Sequence, residues 1–351
     1  GSWSLSGANT YSGATIISAG KLAVGSSSNV IPNGDGKGNV VLDGGATTAG
    51  VLDLNNFNET INGLSGTGGA ALGQVVNNSS SALKTLTVGD GNATAGFAGV
   101  IKDNTSGTGT IALTKIGTGT QTLLGANTYT GATQVNGGTL LIGTSASLGA
   151  TAVTVGGASA TGAPTLAGGG TIGGATVIAA AGGGVAGTHS PGVAGVSNGV
   201  GTQTFSSTLN YGTGSIFEWN LNASGSSDPG AAASNAATGT YDQLIASGAI
   251  TGSGAIFKLV LSGNSFADAF WNTDKSWTNI FGGAGTPANL AAVFGSFSAT
   301  GDLDSSGNVS GRGQFTFSGT SSTLNWSAVP EPTSAVLMLL GLAGIMRRRR
   351  N

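Results

Sequence analysis

The sequence predicts an all-β chain wound as a right-handed parallel β-helix, with a short apolar helix at its C-terminus. Three observations predict it. Glycine supplies 66 of 351 residues, against a usual share of about 7%. Charged residues are only 7% while hydrophobic residues are 39%, where about a quarter charged is ordinary. A 25-residue unit also recurs along the chain. Disordered chains combine low hydrophobicity with high charge, so disorder is excluded. Glycine keeps no every-third period, which excludes collagen. One His and no Cys leave neither a disulfide framework nor the ligands of a zinc site.

The strands come first. Val40-Val41-Leu42, Val51–Leu54, Leu83–Val88 and Ile111–Thr114 are short, rich in β-branched residues, and bounded by turn formers such as Asp43-Gly44 and Gly89-Asp90-Gly91. Before residue 330 no segment sustains a helical period, and glycine costs a helix about 1 kcal/mol per residue relative to alanine. Stacked coils suit this composition better than a sandwich. Backbone groups bond between rungs, Thr, Asn and Ser can stack like on like, and Gly turns the corners. A Greek-key sandwich stays open for part of the C-terminal half.

The repeat aligns residues 1–25 with 119–143 at an offset of 118, with 13 of 25 positions identical. Its core is Asn9-Thr10-Tyr11 against Asn127-Thr128-Tyr129. The repeat copies extend near 1–28 and 119–147. The chain begins inside a copy and without an initiator Met, so it reads as a fragment or trimmed product. Around the second copy, residues 115–140 resemble the autotransporter-associated β-strand repeat, and Leu52–Gly66, Phe97–Asp103 and Gly187–Gly192 are similar to its flanking coils. The resemblance spans about residues 1–260 and implies a β-helical surface or secreted protein. No alternating membrane-barrel strands follow residue 260.

Residues 1–265 read as the repeat region. Residues 266–328 hold most bulky aromatics, including Phe266, Phe270, Trp271, Trp277, Phe281, Phe294, Phe297, Phe315, Phe317 and Trp326. A cap over the solenoid end explains them, since exposed strand edges need covering; an aromatic sugar platform is the alternative.

Residues 329–351 are a separate segment. Val329-Pro330-Glu331-Pro332 precedes a 12-residue apolar run, Ala335–Met346, and then Arg347, Arg348, Arg349 and Arg350. As a helix that run is about 18 Å long, against a hydrocarbon core of about 30 Å. The arginines belong on the cytoplasmic side, which places the body outside. Pro-Glu-Pro breaks a helix and leaves an extended peptide at the membrane face. The tail resembles the PEP-CTERM sorting signal of Gram-negative bacteria. That resemblance implies recognition by an exosortase, which removes the tail at or near Pro330, Glu331 and Pro332, and an exopolysaccharide-associated envelope. Ahead of Pro330 stand 8 basic and 13 acidic residues. An acidic body with a basic tip has no phosphate-tracking surface, so nucleic acid is not an expected partner.

Catalytic candidates are few. His189 lies in Gly187–Gly192, which reads as a turn between coils; no nucleophile elbow accompanies it. Asp302-Leu303-Asp304-Ser305-Ser306-Gly307 imitates the start of a calcium loop, but Gly313 stands at the twelfth position where a bidentate Glu is needed. Asp43 and Asp53 fall in separate strands with Glu59 on a loop, and Glu218 and Asp242 are isolated, so no acid–base pair is assigned. The expected protein is an exported, non-enzymatic β-helical surface or matrix component, structural or adhesive, without cofactor or metal. Its expected partners are an exosortase-type enzyme and polysaccharide, and its tail sits in the inner membrane until it is removed. The competing expectation is a polysaccharide lyase or hydrolase on the same fold.

Overall fold

A computed structural model describes residues 1–43, 48–67, 73–79, 82–104, 107–192, 199–222, 241–262, 266, 269–287, 289–299, 303–318 and 322–329. Among these, the only α-helical element is the four-residue turn Leu290–Val293. The chain is a parallel β-solenoid with three faces. Face 1 is a five-stranded sheet from Ser2–Leu5 to Val100–Ile101, continued by a six-stranded sheet from Ala126–Asn127 to Phe281–Gly282. The Ile101 carbonyl joins them by accepting the Thr128 N–H. Face 2 runs from Thr15–Ile16 to Phe294–Ala299, its three- and eight-stranded parts joined through Gly66 and Phe97. Face 3 is one eight-stranded sheet from Glu59–Ile61 to Ile250–Gly252.

From Glu59 onward each coil passes from face 3 to face 2 to face 1, as in Thr110–Lys115, Thr120–Leu123 and Ala126–Asn127. Face 2 strands start at residues 15, 40, 64, 95, 120, 139, 165, 188, 216, 255 and 294, so successive coils lie 19 to 39 residues apart. The 118-residue offset is therefore not a whole number of turns. Ser2–Leu5 lies on face 1, while its repeat equivalent Thr120–Leu123 lies on face 2. Thr15–Ile16 lies on face 2 and its equivalent Thr133–Val135 on face 3. The second copy is rotated by one face relative to the first.

The core grows in side-chain size along the axis. On face 2 the inward row in register is Leu140, Leu166, His189, Phe217 and Phe257; on face 3 it is Val135, Val155, Ile178 and Tyr211. At the corners, coils approach too closely for side chains. A Cβ on Gly99 would meet the Gly73 carbonyl, and one on Gly125 would meet the Gly99 carbonyl, so this column of glycines is what lets the coils close to strand spacing.

Parallel pairing continues to Ala299. Beyond it an antiparallel sheet of Lys275–Trp277, Leu324–Ala328, Gly313–Phe317 and Asn308–Val309 forms the end of the rod. Trp271, Trp277, Phe315 and Trp326 are buried in it, with Trp326 Nε1 donating to the Trp271 carbonyl at 2.9 Å. Phe317 stacks on Phe297 and packs edge-on to Phe257, so the sheet covers the end of the solenoid core. These rings face inward, which withdraws them from the alternative role of a sugar platform. Near the first residue, Trp3 stands in the core-facing row with Leu22 and Leu52 and is 78% exposed.

Candidate functional site

Three places carry chemistry: the repeat core, the outer surface of face 2, and the C-terminal end. In the repeat core, Asn127 ties three coils together. Its Oδ1 accepts the Ile101 N–H of the preceding coil at 2.9 Å, while Nδ2 donates to Gly125 in its own coil and to Ser147 in the next. Asn9 repeats two of these contacts, donating to Gly7 and to Val30. Tyr129 is buried and shares a 2.7 Å hydrogen bond with Thr133; the same bond joins Tyr11 to Thr15, but Tyr11 is 39% exposed. Burial pushes the Tyr129 phenol well up. Thr10 and Thr128 are exposed; the Thr10 carbonyl accepts from Lys37 and the Thr128 N–H belongs to the ladder. The core motif is thus a device for stacking coils.

The carboxylates do similar work. Asp53 is buried, pairs with Lys21 at 3.0 Å, and accepts the backbone N–H groups of Asn55 and Asn78. Glu59 starts a strand of face 3 instead of lying on a loop, because its carboxylate is drawn inward to accept the Val30 and Ile31 N–H groups. Burial raises its pKa against the pull of those bonds. Asp43 accepts from Thr67, and Asp103 from Ile111 and Thr130. Asp242 is buried, accepts from Gly201 and twice from Asn220, and is pushed well above the usual carboxylate range, first by burial. Glu218 is not isolated from it: the Asp242 N–H donates to the Asn220 carbonyl on the Glu218 strand, and the Glu218 charge adds to that upward shift.

His189 lies on the strand Thr188–Pro191, not in a turn. Thr188 and Ser190 point outward, so alternation sends His189 into the core. Its Nε2–H donates to Gln203 Oε1 at 2.7 Å and its Nδ1 accepts from the Tyr211 hydroxyl at 2.6 Å. Gln203 Oε1 only accepts, which fixes the neutral tautomer. Burial lowers its pKa to about 4. Lys115, which the sequence did not single out, is fully buried with Nζ donating to the carbonyls of Ile116, Gly117 and Gly137. Burial lowers its pKa to about 8. Asp304 accepts from Ser306 and Asn308 within its own turn, and the Asn308 N–H is the first cause of its lowered pKa. Asp302 lies outside the described residues, and among the described residues no group of three acids or histidines could hold a metal.

On the outer surface of face 2, Thr120, Thr139, Thr165 and Thr188 stand in one register row on consecutive coils. They line a cleft of about 410 Å³ with Leu141 and Ala167 on its floor. At its far end Glu218 accepts from Ser190 at 3.1 Å and pairs with Lys258 at 2.8 Å. Its rows of hydroxyls and one half-neutralised carboxylate can exchange hydrogen bonds with a polyhydroxylated chain laid across the rungs.

At the C-terminal end, Pro330, Glu331, Pro332, the apolar run with its expected helix, and Arg347, Arg348, Arg349 and Arg350 lie outside the described residues. No helix of the described residues is long and apolar enough to cross a membrane. Residues 1–24 and 113–142 match the Passenger-associated-transport-repeat, and residues 328–350 match the PEP-CTERM protein-sorting motif. The chain carries both. No curated protein matches it. The sorting motif implies export to the cell surface and processing by an exosortase. The matched repeat ends at Ile142, and the strand that closes it, Thr139–Ile142, supplies the Thr139 wall of the cleft.

Two predictions follow from this geometry. Asn127→Ala orphans buried backbone groups in three coils and should cost about 2–3 kcal/mol in urea unfolding, whereas Asn9→Ala, half-buried and repeating two of those contacts, should cost under about 1 kcal/mol. An equal loss at both positions would contradict the inter-coil role. The neutral His189 makes the fold sensitive to mild acid. Its folded pKa lies below the ordinary value, so its contribution is complete above pH 6.5 and is lost as pH falls toward 4. Glu59 and Asp242, with raised pKa values, act in the opposite sense. The His189 contribution is therefore read as the stability of wild type minus His189→Gln, which should fall by on the order of 3 kcal/mol between pH 7 and pH 4.

Proposed function

We propose that the protein is a non-enzymatic, rod-shaped component of an exopolysaccharide-associated cell envelope, delivered by C-terminal sorting and held in the inner membrane by its tail until an exosortase removes it. The observation that carries this reading is the joining of the sorting motif to a solenoid whose buried carboxylates are committed to backbone N–H groups of adjacent coils. Its working surface is the cleft of face 2, where the threonine row repeats at strand spacing of about 4.8 Å. Such a row offers weak contacts in series to a repeating glycan, and avidity comes from their number.

A polysaccharide-cleaving enzyme on the same scaffold has one observation in its favour, the Glu218 carboxylate in that cleft. Glycoside hydrolysis needs a second carboxyl about 5–10 Å away. The nearby acid, Asp242, has its carboxylate occupied by Gly201 and Asn220 inside the body. That arrangement favours binding over cleavage.

Fractionation of the native host should place the protein outside the inner membrane, and mass spectrometry of that form should find no peptide from Arg347 to Asn351. An intact tail on the extracellular protein, or a full-length cytoplasmic pool alone, would refute the sorting reading. For the cleft, Thr139→Arg and Thr165→Arg should each reduce retention on exopolysaccharide from the native host at least several-fold. New reducing or unsaturated ends released by the wild type and abolished by Glu218→Gln would replace the adhesive reading with the enzymatic one.

A further inference from the structure

The last described strand, Leu324–Ala328, is an inner strand. It pairs with Lys275–Trp277 on one side and Gly313–Phe317 on the other. Bonding continues past its end: the Ala328 N–H donates to Asp274 Oδ1 and the Val329 N–H to the Arg312 carbonyl, each at 2.8 Å. The chain is therefore tied into the end sheet up to the residue before Pro330. Five residues, 330–334, separate Val329 from the apolar run. Even fully extended they span about 20 Å. With the apolar run in the bilayer, the end sheet stays within that reach of the membrane, and whatever acts on residues 330–334 meets the sheet.

Two consequences bear on recognition. A protease that reads an extended peptide on both sides of its cut finds nothing to read upstream, because Leu324–Ala328 has no free edge on which to add a strand. What stands in its place is a groove of about 420 Å³ between the hairpin 308–317 and the last strand. Its rim is formed by exposed Asn308, Ser310, Gln314 and Ser327, with buried Val309 on its floor and Val329 as its last wall. Val329 is thus both a wall of the groove and the residue that leads into the sorting motif.

We propose that this groove docks the membrane-embedded processing enzyme and acts as a second recognition surface beside Pro330–Pro332. The proposal rests on the reading that the tail is processed, and it adds that the folded end sheet takes part. The lining carries amides, hydroxyls and small apolar groups but no charged side chain. That composition suits a neutral, hydrogen-bonding protein surface. Anionic lipid headgroups would instead call for clustered Lys or Arg.

The experiment follows tail removal from the full-length chain by pulse–chase in the native host. Gln314→Lys and Ser327→Lys, on exposed positions that face each other across the sheet, should each slow removal about five-fold or more, while Thr154→Lys on face 3 leaves it unchanged. Unaltered melting of the processed variants separates docking from misfolding. A photo-crosslinking side chain at position 314, used with a catalytically inactive enzyme, should give an adduct containing that enzyme. Wild-type removal with unchanged rates in both groove variants would overturn the groove proposal and leave sorting intact. Adducts to lipid alone would overturn it in favour of membrane contact. Failure of the wild type to lose its tail would refute the sorting reading itself.

Discussion

Hydrogen bonding between successive coils, side chain to backbone as much as backbone to backbone, is the constraint on which the rest of this molecule depends. A three-faced coil turns sharply between its strands, and each corner leaves N–H and C=O groups without a ladder partner. Asn and Asp side chains from the neighbouring coil reach those groups. Asn29 accepts from Thr60, Asn39 from Gly63, Asn58 from Thr85 and Asn92 from Thr118, each one coil onward. Lys115 does the same for carbonyls, with its ammonium held by three of them. In this setting the few charges serve as hydrogen-bonding groups of high strength and only secondarily as ion pairs; among the described residues just two salt bridges occur, Lys21–Asp53 and Lys258–Glu218.

The same closeness of coils explains the glycine content. Where carbonyls of one coil press against the next, as along Gly73, Gly99 and Gly125, a side chain has no volume to occupy. In the first coils the core is mostly aliphatic, and towards the end sheet it becomes aromatic, with Phe217 contacting Phe257, Phe281 and Phe294. Aromatic packing adds area and ring–ring attraction, so resistance to local opening rises along the axis toward the end sheet.

Much of this was legible in the residues. Alternating β-branched runs between turn formers announced strands, and the repeat announced stacking, because both are local patterns. The sorting segment was legible for the same reason: its meaning lies in the order of three short blocks. Pairings across coils were not legible. Glu59 was read as a loop residue because its partners, Val30 and Ile31, lie a full coil away. His189 was placed in a turn because Gly and Pro surround it, yet its alternation with Thr188 and Ser190 belongs to a strand. Asn was expected to stack on Asn, whereas it bonds to the backbone above or below. The threonine row of face 2 emerges only when coils of unequal length, 19 to 26 residues, are brought into register.

The one-face rotation between the two repeat copies has a further consequence. Since two copies of one 25-residue unit, 13 positions identical, form strands on different faces, the three faces are interchangeable hosts for this unit. Length changes by a fraction of a turn are then tolerated by the scaffold, but they swing every later loop around the axis by about a third of a revolution. A lineage that gained or lost such fractions would keep its rod and re-aim what the rod displays. Insertion size thereby becomes a dial for direction, separate from any change in the residues presented.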